Sequence, residues 1–276
     1  MGNQWDNFLR NLGEWRGSFD SLDTNGNVVE STPSILSLEQ GAEERLVHFR
    51  LRRFADGNLN GEPSRDMRED YRSLGRQVVF FDSGTFCKGS LQVAPGTAFG
   101  GEFGFVHGDR RHRLVQLHNE AGAFQQLVLI REQRAGSNAA EQPRLTASQL
   151  QGSWEGEAAT ISADWPVPSI SRCRFTISGE SDDRLQIQTE LEGSSATVQG
   201  RTAAAGATAA EAGEELRLTW MADGGFHLTP LQVSHRAAFA VEAGWLAAPG
   251  RLERLIRRYD ASGAWLSATQ IIAARA

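Results

Sequence analysis

The chain has 276 residues, 40% of them hydrophobic and 22% charged, with a net charge of −6 at pH 7. That length holds two cores of ordinary size at roughly 150 residues per domain. The acidic balance argues against a nucleic-acid partner, which needs a clustered positive field. No apolar run reaches the length of a transmembrane helix and the start lacks a leader's basic and apolar regions, so the expectation is a cytoplasmic protein.

In chain order, Gln4 to Leu12 is a helical candidate, with Trp5, Phe8, Leu9 and Leu12 at helical spacing, and it leads into Gly13-Glu14-Trp15. Thereafter the pattern alternates with period two. Val47, Phe49 and Leu51 share one side of a half-buried strand, and His48, Arg50 and Arg52 face water. Further strands are read at Gln77 to Asp82, Thr85 to Val93, Glu102 to His107, Arg111 to His118 and Phe124 to Glu132. Turns at Asp82-Ser83-Gly84, Gly108-Asp109 and Asn119 to Gly122 join antiparallel neighbours. The glycines Gly100, Gly101 and Gly104 read as a strand kink or bulge. A small, polar stretch closed by Pro143 makes residues 135–143 a linker between domains 1–134 and 144–276.

The second half repeats this plan. A short helix at Ala147 to Leu150 precedes Gly152-Ser153-Trp154, and strands follow at Cys173 to Ser178, Arg184 to Leu191, Glu215 to Met221, His235 to Val241, Arg254 to Tyr259 and Trp265 to Ala273. Gly193 to Gly213 is too poor in large apolar groups to pack and reads as a mobile loop. The halves also match residue by residue. Arg113-Leu114-Val115 returns as Arg254-Leu255-Ile256, an offset of 141 (254 minus 113), and Gly13 to Gly17 returns as Gly152 to Gly156, an offset of 139 (152 minus 13). A period near 140 is a whole domain. The expected fold class is therefore all-β: two tandem antiparallel barrels, each with a short N-terminal helix, closed so that no sheet edge is exposed.

Gly-x-Trp after a helical turn resembles the lipocalin signature. That resemblance implies lipocalin-like barrels closed by Trp15 and Trp154, with a stacking arginine at Arg131 or Arg134 in the first half and Arg275 in the second. Such a cation–π contact contributes about 0.5–2 kcal/mol. Four segments, Val79 to Phe86, Arg111 to Val115, Leu129 to Glu132 and Arg254 to Tyr259, resemble a family of uncharacterised cyanobacterial and plastid proteins built from two such barrels. The resemblance implies either an assembly scaffold, as for a plant relative that serves the ATP synthase catalytic head, or a carrier akin to bilin lyases.

The candidate site rests on arginines. On one strand face Arg111 and Arg113 line up, and their repeat places Arg254 likewise; on the opposite face Arg257-x-Tyr259 resembles the interior pair of fatty-acid-binding barrels. Only one face can be interior, and the other alternative puts these arginines at solvated rims. An interior guanidinium must meet a carboxylate, from the protein or from a ligand. Phe81, Phe86, Phe103 and Phe105 are expected to line the first cup. The six histidines lack metal spacing and read mostly as surface residues, and Cys87 and Cys173 read as buried thiols with neither disulfide nor metal role. No metal or cofactor is expected. The leading expectation is a non-catalytic protein binding a small apolar or acidic ligand; the alternatives are an assembly scaffold that grips a protein partner, and a phycobilin lyase-like carrier.

Overall fold

The computed structural model describes residues 3–23, 25–181, 184–191, 194–203, 206–211 and 214–276. The first half runs α1 (Gln4–Leu9), β1 (Gly13–Leu22), β2 (Val28–Gln40), β3 (Val47–Arg53), β4 (Arg65–Tyr71), β5 (Val78–Phe80), β6 (Phe86–Gly89), β7 (Phe99–His107), β8 (Arg110–His118) and β9 (Phe124–Arg134). The second runs α2 (Ala147–Leu150), β10 (Gly152–Ser162), β11 (Trp165–Ser181), β12 (Arg184–Leu191), β13 (Ser194–Ala203), β14 (Gly206–Glu211), β15 (Glu214–Trp220), β16 (Gly225–Pro230), β17 (Phe239–Ala248), β18 (Arg251–Tyr259) and β19 (Trp265–Arg275). The protein is all-β apart from these two short helices.

The second half is a closed antiparallel barrel of β10 to β19 in sequence order, with β19 returning to β10. The first is a nine-stranded sheet, β4-β3-β2-β1-β9-β8-β7-β6-β5, whose ends β4 and β5 do not pair. Helix α1 spans that gap instead. Asn3 caps it through the amides of Trp5 and Asp6, Gln4 exchanges two hydrogen bonds with the Phe80 backbone, and the Phe8 ring touches both Tyr71 on β4 and Phe80 on β5.

Each indole sits where the Gly-x-Trp reading puts it. Trp15 and Trp154 are fully buried, and their Nε1 atoms donate to the carbonyls four residues back, Asn11 and Leu150. Arg134 stacks on Trp15 at 4.3 Å and Arg275 on Trp154 at 4.7 Å. Both arginines also donate to backbone carbonyls just before the indole, Arg134 to Leu12 and Arg10, Arg275 to Gln149 and Gln151. Arg131 does not stack; it pairs with Asp20.

Three other readings are corrected. Within Gly193 to Gly213, expected as a loop, Ser194–Ala203 and Gly206–Glu211 form β13 and β14 of the barrel wall, and the rest of that stretch lies outside the described residues; ladder hydrogen bonds to both neighbours hold small residues in a strand that propensity alone would not. The strand expected at His235 begins at Phe239. The register of β7 against β8 is uninterrupted from Phe99 to His107, so its glycines make no bulge. Gly104 instead leaves room for the ring of Phe86, directly across on β6, and Gly244 does the same for Phe226.

The two sheets pack back to back. The largest apolar cluster joins Phe103, Phe105 and Leu114 of the first half to Val241, Trp245, Leu255 and Tyr259 of the second. Its rim is reciprocal. Phe124 and Val233 donate backbone hydrogen bonds to Leu231 and Gly122, and the repeats of these residues, Trp265 and Val93, donate to Leu91 and Gly263. The bridges Ala123↔Gln232 and Gln92↔Ala264 complete the exchange. The halves thus meet as an isologous pair, each giving what it receives.

Gly122 is held at φ 82°, and a Cβ there would lie 2.2 Å from the Val233 carbonyl oxygen. Gly122→Ala is expected to lower stability in urea unfolding by more than the ~1–2 kcal/mol of a left-handed non-glycine residue. Gly108→Ala, at φ 57° with open space around it, is the control that should lose only that part.

Candidate functional site

Strand β8 presents its two faces to different environments. Arg111 and Arg113 point into the first barrel, where Arg111 lies over Trp15 at 4.4 Å and Arg113 over Phe19 at 5.6 Å. Their charges are met by the protein itself. Glu132 on β9 accepts from Arg111 at 2.7 Å and from Arg113 at 3.0 and 3.1 Å, and Glu102 on β7 accepts from Arg113 at 2.8 Å. Burial pushes the Glu132 carboxyl up, but the guanidiniums of Arg111 and Arg113 outweigh it and hold it at about 2. The same pair recurs in the second barrel, where Arg254 makes a bidentate contact with Glu242 at 2.6 and 2.9 Å, bonds to Thr189 at 3.1 Å and lies over Phe175. Glu102 and Glu242 are repeat equivalents, 140 residues apart (242 minus 102).

The remaining predicted residues divide between two regions. Phe86 packs in the first barrel's core. Phe81, Phe103 and Phe105 do not line that cup; they are buried in the core shared by the two halves. Arg257 and Tyr259, the pair expected inside a barrel, also lie on the outer face of β18, where Tyr259 donates to the Ser90 carbonyl at 2.9 Å and Arg257 reaches Cys87 Sγ at 3.5 Å. Both cysteines are free and buried. Among the described residues no group of three or more His, Cys, Asp or Glu could hold a metal ion, and no helix is long and apolar enough to cross a membrane.

The reading of the histidines as surface residues is overturned for three of the six, whereas His48 is exposed and His107 and His235 are partly exposed. His112, His118 and His227 are almost fully buried between the halves. His118 donates to the Pro230 carbonyl at 2.9 Å, the repeat equivalent of the Tyr259 contact with Ser90. His112 stacks on Trp245 and approaches Asp223, which Arg110 also meets at 2.7 Å. Alternating polar residues look like a solvated strand face; the sequence signal for burial was the repeat itself, because two similar barrels can cover each other's outer faces.

This burial has a pH consequence. Burial pushes His227 down to about 3, helped by Arg217 and His118, and burial pushes His118 down too. Between pH 6.5 and 3 the unfolded chain binds a proton at His227 that the folded protein does not, so stability falls as the pH falls through that window, by at most ~1.4 kcal/mol per pH unit for this group. His227→Gln is expected to flatten the slope of unfolding free energy against pH between 6.5 and 4.5, measured by urea titration.

Outside both barrels a groove of about 1260 Å³ runs between the halves. One wall is α1 and the Phe80 to Ser83 turn; the other is the outer face of β10 and β19, with the start of β11 as its lip.

The first 137 residues match the family model described as domain of unknown function DUF3598, N-terminal, and residues 141–276 match the C-terminal domain of biogenesis factor required for ATP synthase 1. A crystal structure of a DUF3598-family protein of unknown function from Nostoc punctiforme is similar over 100% of both chains, at 34% identity and a TM-score of 0.92. An S-type phycobiliprotein lyase from Guillardia theta shows 15% identity over 47% of this chain and 90% of its own, with a TM-score of 0.37. No curated protein matches the chain.

Proposed function

Because the chain belongs to the DUF3598 family, and its C-terminal half matches the ATP synthase biogenesis factor domain, we propose that it is a non-catalytic scaffold for assembly of an ATP synthase. One observation carries this reading over a small-molecule carrier. The interior arginines that would have needed a ligand's acid group, Arg113 and Arg254, are already neutralised by Glu132, Glu102 and Glu242. Large side chains fill the second barrel around Arg254, among them Trp154, Phe175, Trp220 and Phe226. A buried ion pair that is complete offers a ligand carboxylate nothing to replace. Two packed halves, one a closed barrel and one a curled sheet, with a groove between them suit holding a polypeptide.

Native mass spectrometry of the protein purified from its own host tests this. The expected result is a mass equal to that of the bare chain, together with a complex containing a soluble ATP synthase subunit. A small molecule retained by the folded protein and released on denaturation, with no such complex, would overturn it.

A further inference from the structure

The groove between the halves has a counterpart, generated by the exchange that relates the two barrels, and that counterpart is occupied. Residues 141–145 lie in it. Glu141 meets Arg131 at 2.5 Å and lies 3.9 Å from Arg110. The Gln142 amide donates to Asp223 at 2.8 Å, the Pro143 carbonyl accepts from the Gly224 amide at 2.9 Å, and the Leu145 amide donates to the Met221 carbonyl at 3.0 Å. These residues have repeat equivalents in the open groove: Arg131 corresponds to Ile272, Arg110 to Arg251, Asp223 to Ser83 and Met221 to Phe81, all of which line it.

The open groove differs in chemistry as well as occupancy. The floor of the filled one is the ion pair of Asp20 with Arg131; the equivalents here are Ala159 and Ile272, both half-exposed. The lip is apolar too. Val167 is 57% exposed, Ile170 44% and Trp165, at the strand's start, 65%. Trp165 and residues 169–172 of β11 pair with β10 on one side, whereas among the described residues pairing with β12 starts at Cys173, and Pro166 and Pro168 carry no amide hydrogen to offer an added strand. Proline there blunts strand-to-strand aggregation while leaving the apolar side chains presented.

We infer that the open groove binds a mainly apolar segment of a partner polypeptide, laid against the outer face of β10 and β19 as residues 141–145 lie in the counterpart. The main-chain groups equivalent to those of Met221 and Gly224 are already used within the first half, where the Phe81 amide donates to Thr85, the Gly84 amide to the Phe81 carbonyl and Asn11 to the Gly84 carbonyl, so the segment would be held chiefly by apolar contact, an aliphatic side chain on Ala159 and Ile272 replacing the contact of Glu141 with Arg131. The inference rests on the scaffold reading for the identity of the partner, and it names where that partner is held and by what chemistry.

The test uses the full chain and purified soluble ATP synthase subunits. The double variant Ala159→Asp/Ile272→Arg installs in the open groove the ion pair that the filled one carries, so the fold should accept it; binding of the subunit held by the unmodified protein should weaken at least tenfold with the melting temperature unchanged. Should that variant lose stability, Val167→Asp/Ile170→Asp, at side chains that are already exposed, is read instead, with the same loss expected. A photo-crosslinking residue at position 167 should attach to one short segment of the subunit. Unaltered affinity in the folded variants, or crosslinking of position 167 to a second copy of this chain, would overturn the inference while leaving the scaffold reading in place. Failure of the unmodified protein to bind any subunit would remove the scaffold reading itself.

Discussion

Glu132→Ala is expected to cost about 3–5 kcal/mol of folding free energy, the magnitude for leaving a buried charge without its partner. Here two charges are left. Glu132 is the only carboxylate within ion-pair distance of Arg111 among the described residues, and Arg113 would retain Glu102 alone. Glu132→Gln should lose most of the same amount, because it keeps the shape and removes the charge. The triple variant Arg111→Met/Arg113→Met/Glu132→Leu should recover much of the loss, since a buried ion network can be exchanged for apolar groups of similar volume at little net cost. Urea unfolding of the four proteins measures this. The acid limb follows from the same residue: the folded-state carboxyl sits at about 2, below its ordinary value of 4.5, so its contribution is complete above that ordinary value and is lost as the pH falls toward 2.

Trp245→Ala should destabilise the protein by about 3–5 kcal/mol, the range for truncating a large aromatic in a packed core. Trp245 is fully buried, donates to the Asp223 carbonyl at 2.7 Å and stacks on His112 across the junction of the halves, with centroids 5.5 Å apart. Because the core it enters is shared by both halves, the variant should still unfold in a single transition by circular dichroism and by tryptophan emission. Two separated transitions would mean that the barrels fold as independent units. Phe105, its repeat equivalent and also fully buried, should behave in the same way.

The all-β class was legible because alternation and turn residues are local. Val47, Phe49 and Leu51 alternate with polar neighbours, and Gly122 and Gly263 close hairpins that need a positive φ. The closing indoles were legible from Gly-x-Trp and its copy. The stacking arginine was legible only to within a few residues, since Arg131 and Arg134 differ by one and a half periods of a strand and only the ladder register decides which lies beside Trp15; the partner across from Trp15 is Arg134. The stretch from 194 to 211 was misread because its small residues carry no core signal, and the strands on either side hold it by main-chain bonds that leave no trace in composition.

What the sequence determined by itself was therefore the repeat, the strand class, the closing tryptophans and the need of any interior arginine for a carboxylate. What only the tertiary structure decided was which face of each strand is interior. Period-two alternation separates two faces but names neither, and on β8 and β18 both are buried: Arg113 and Arg254 enter the barrels, while Leu114, His118, Arg257 and Tyr259 enter the seam between them. Once two barrels cover each other's outer walls, polar and apolar residues alike lose contact with water, and the rule that a polar face is a wet one no longer applies.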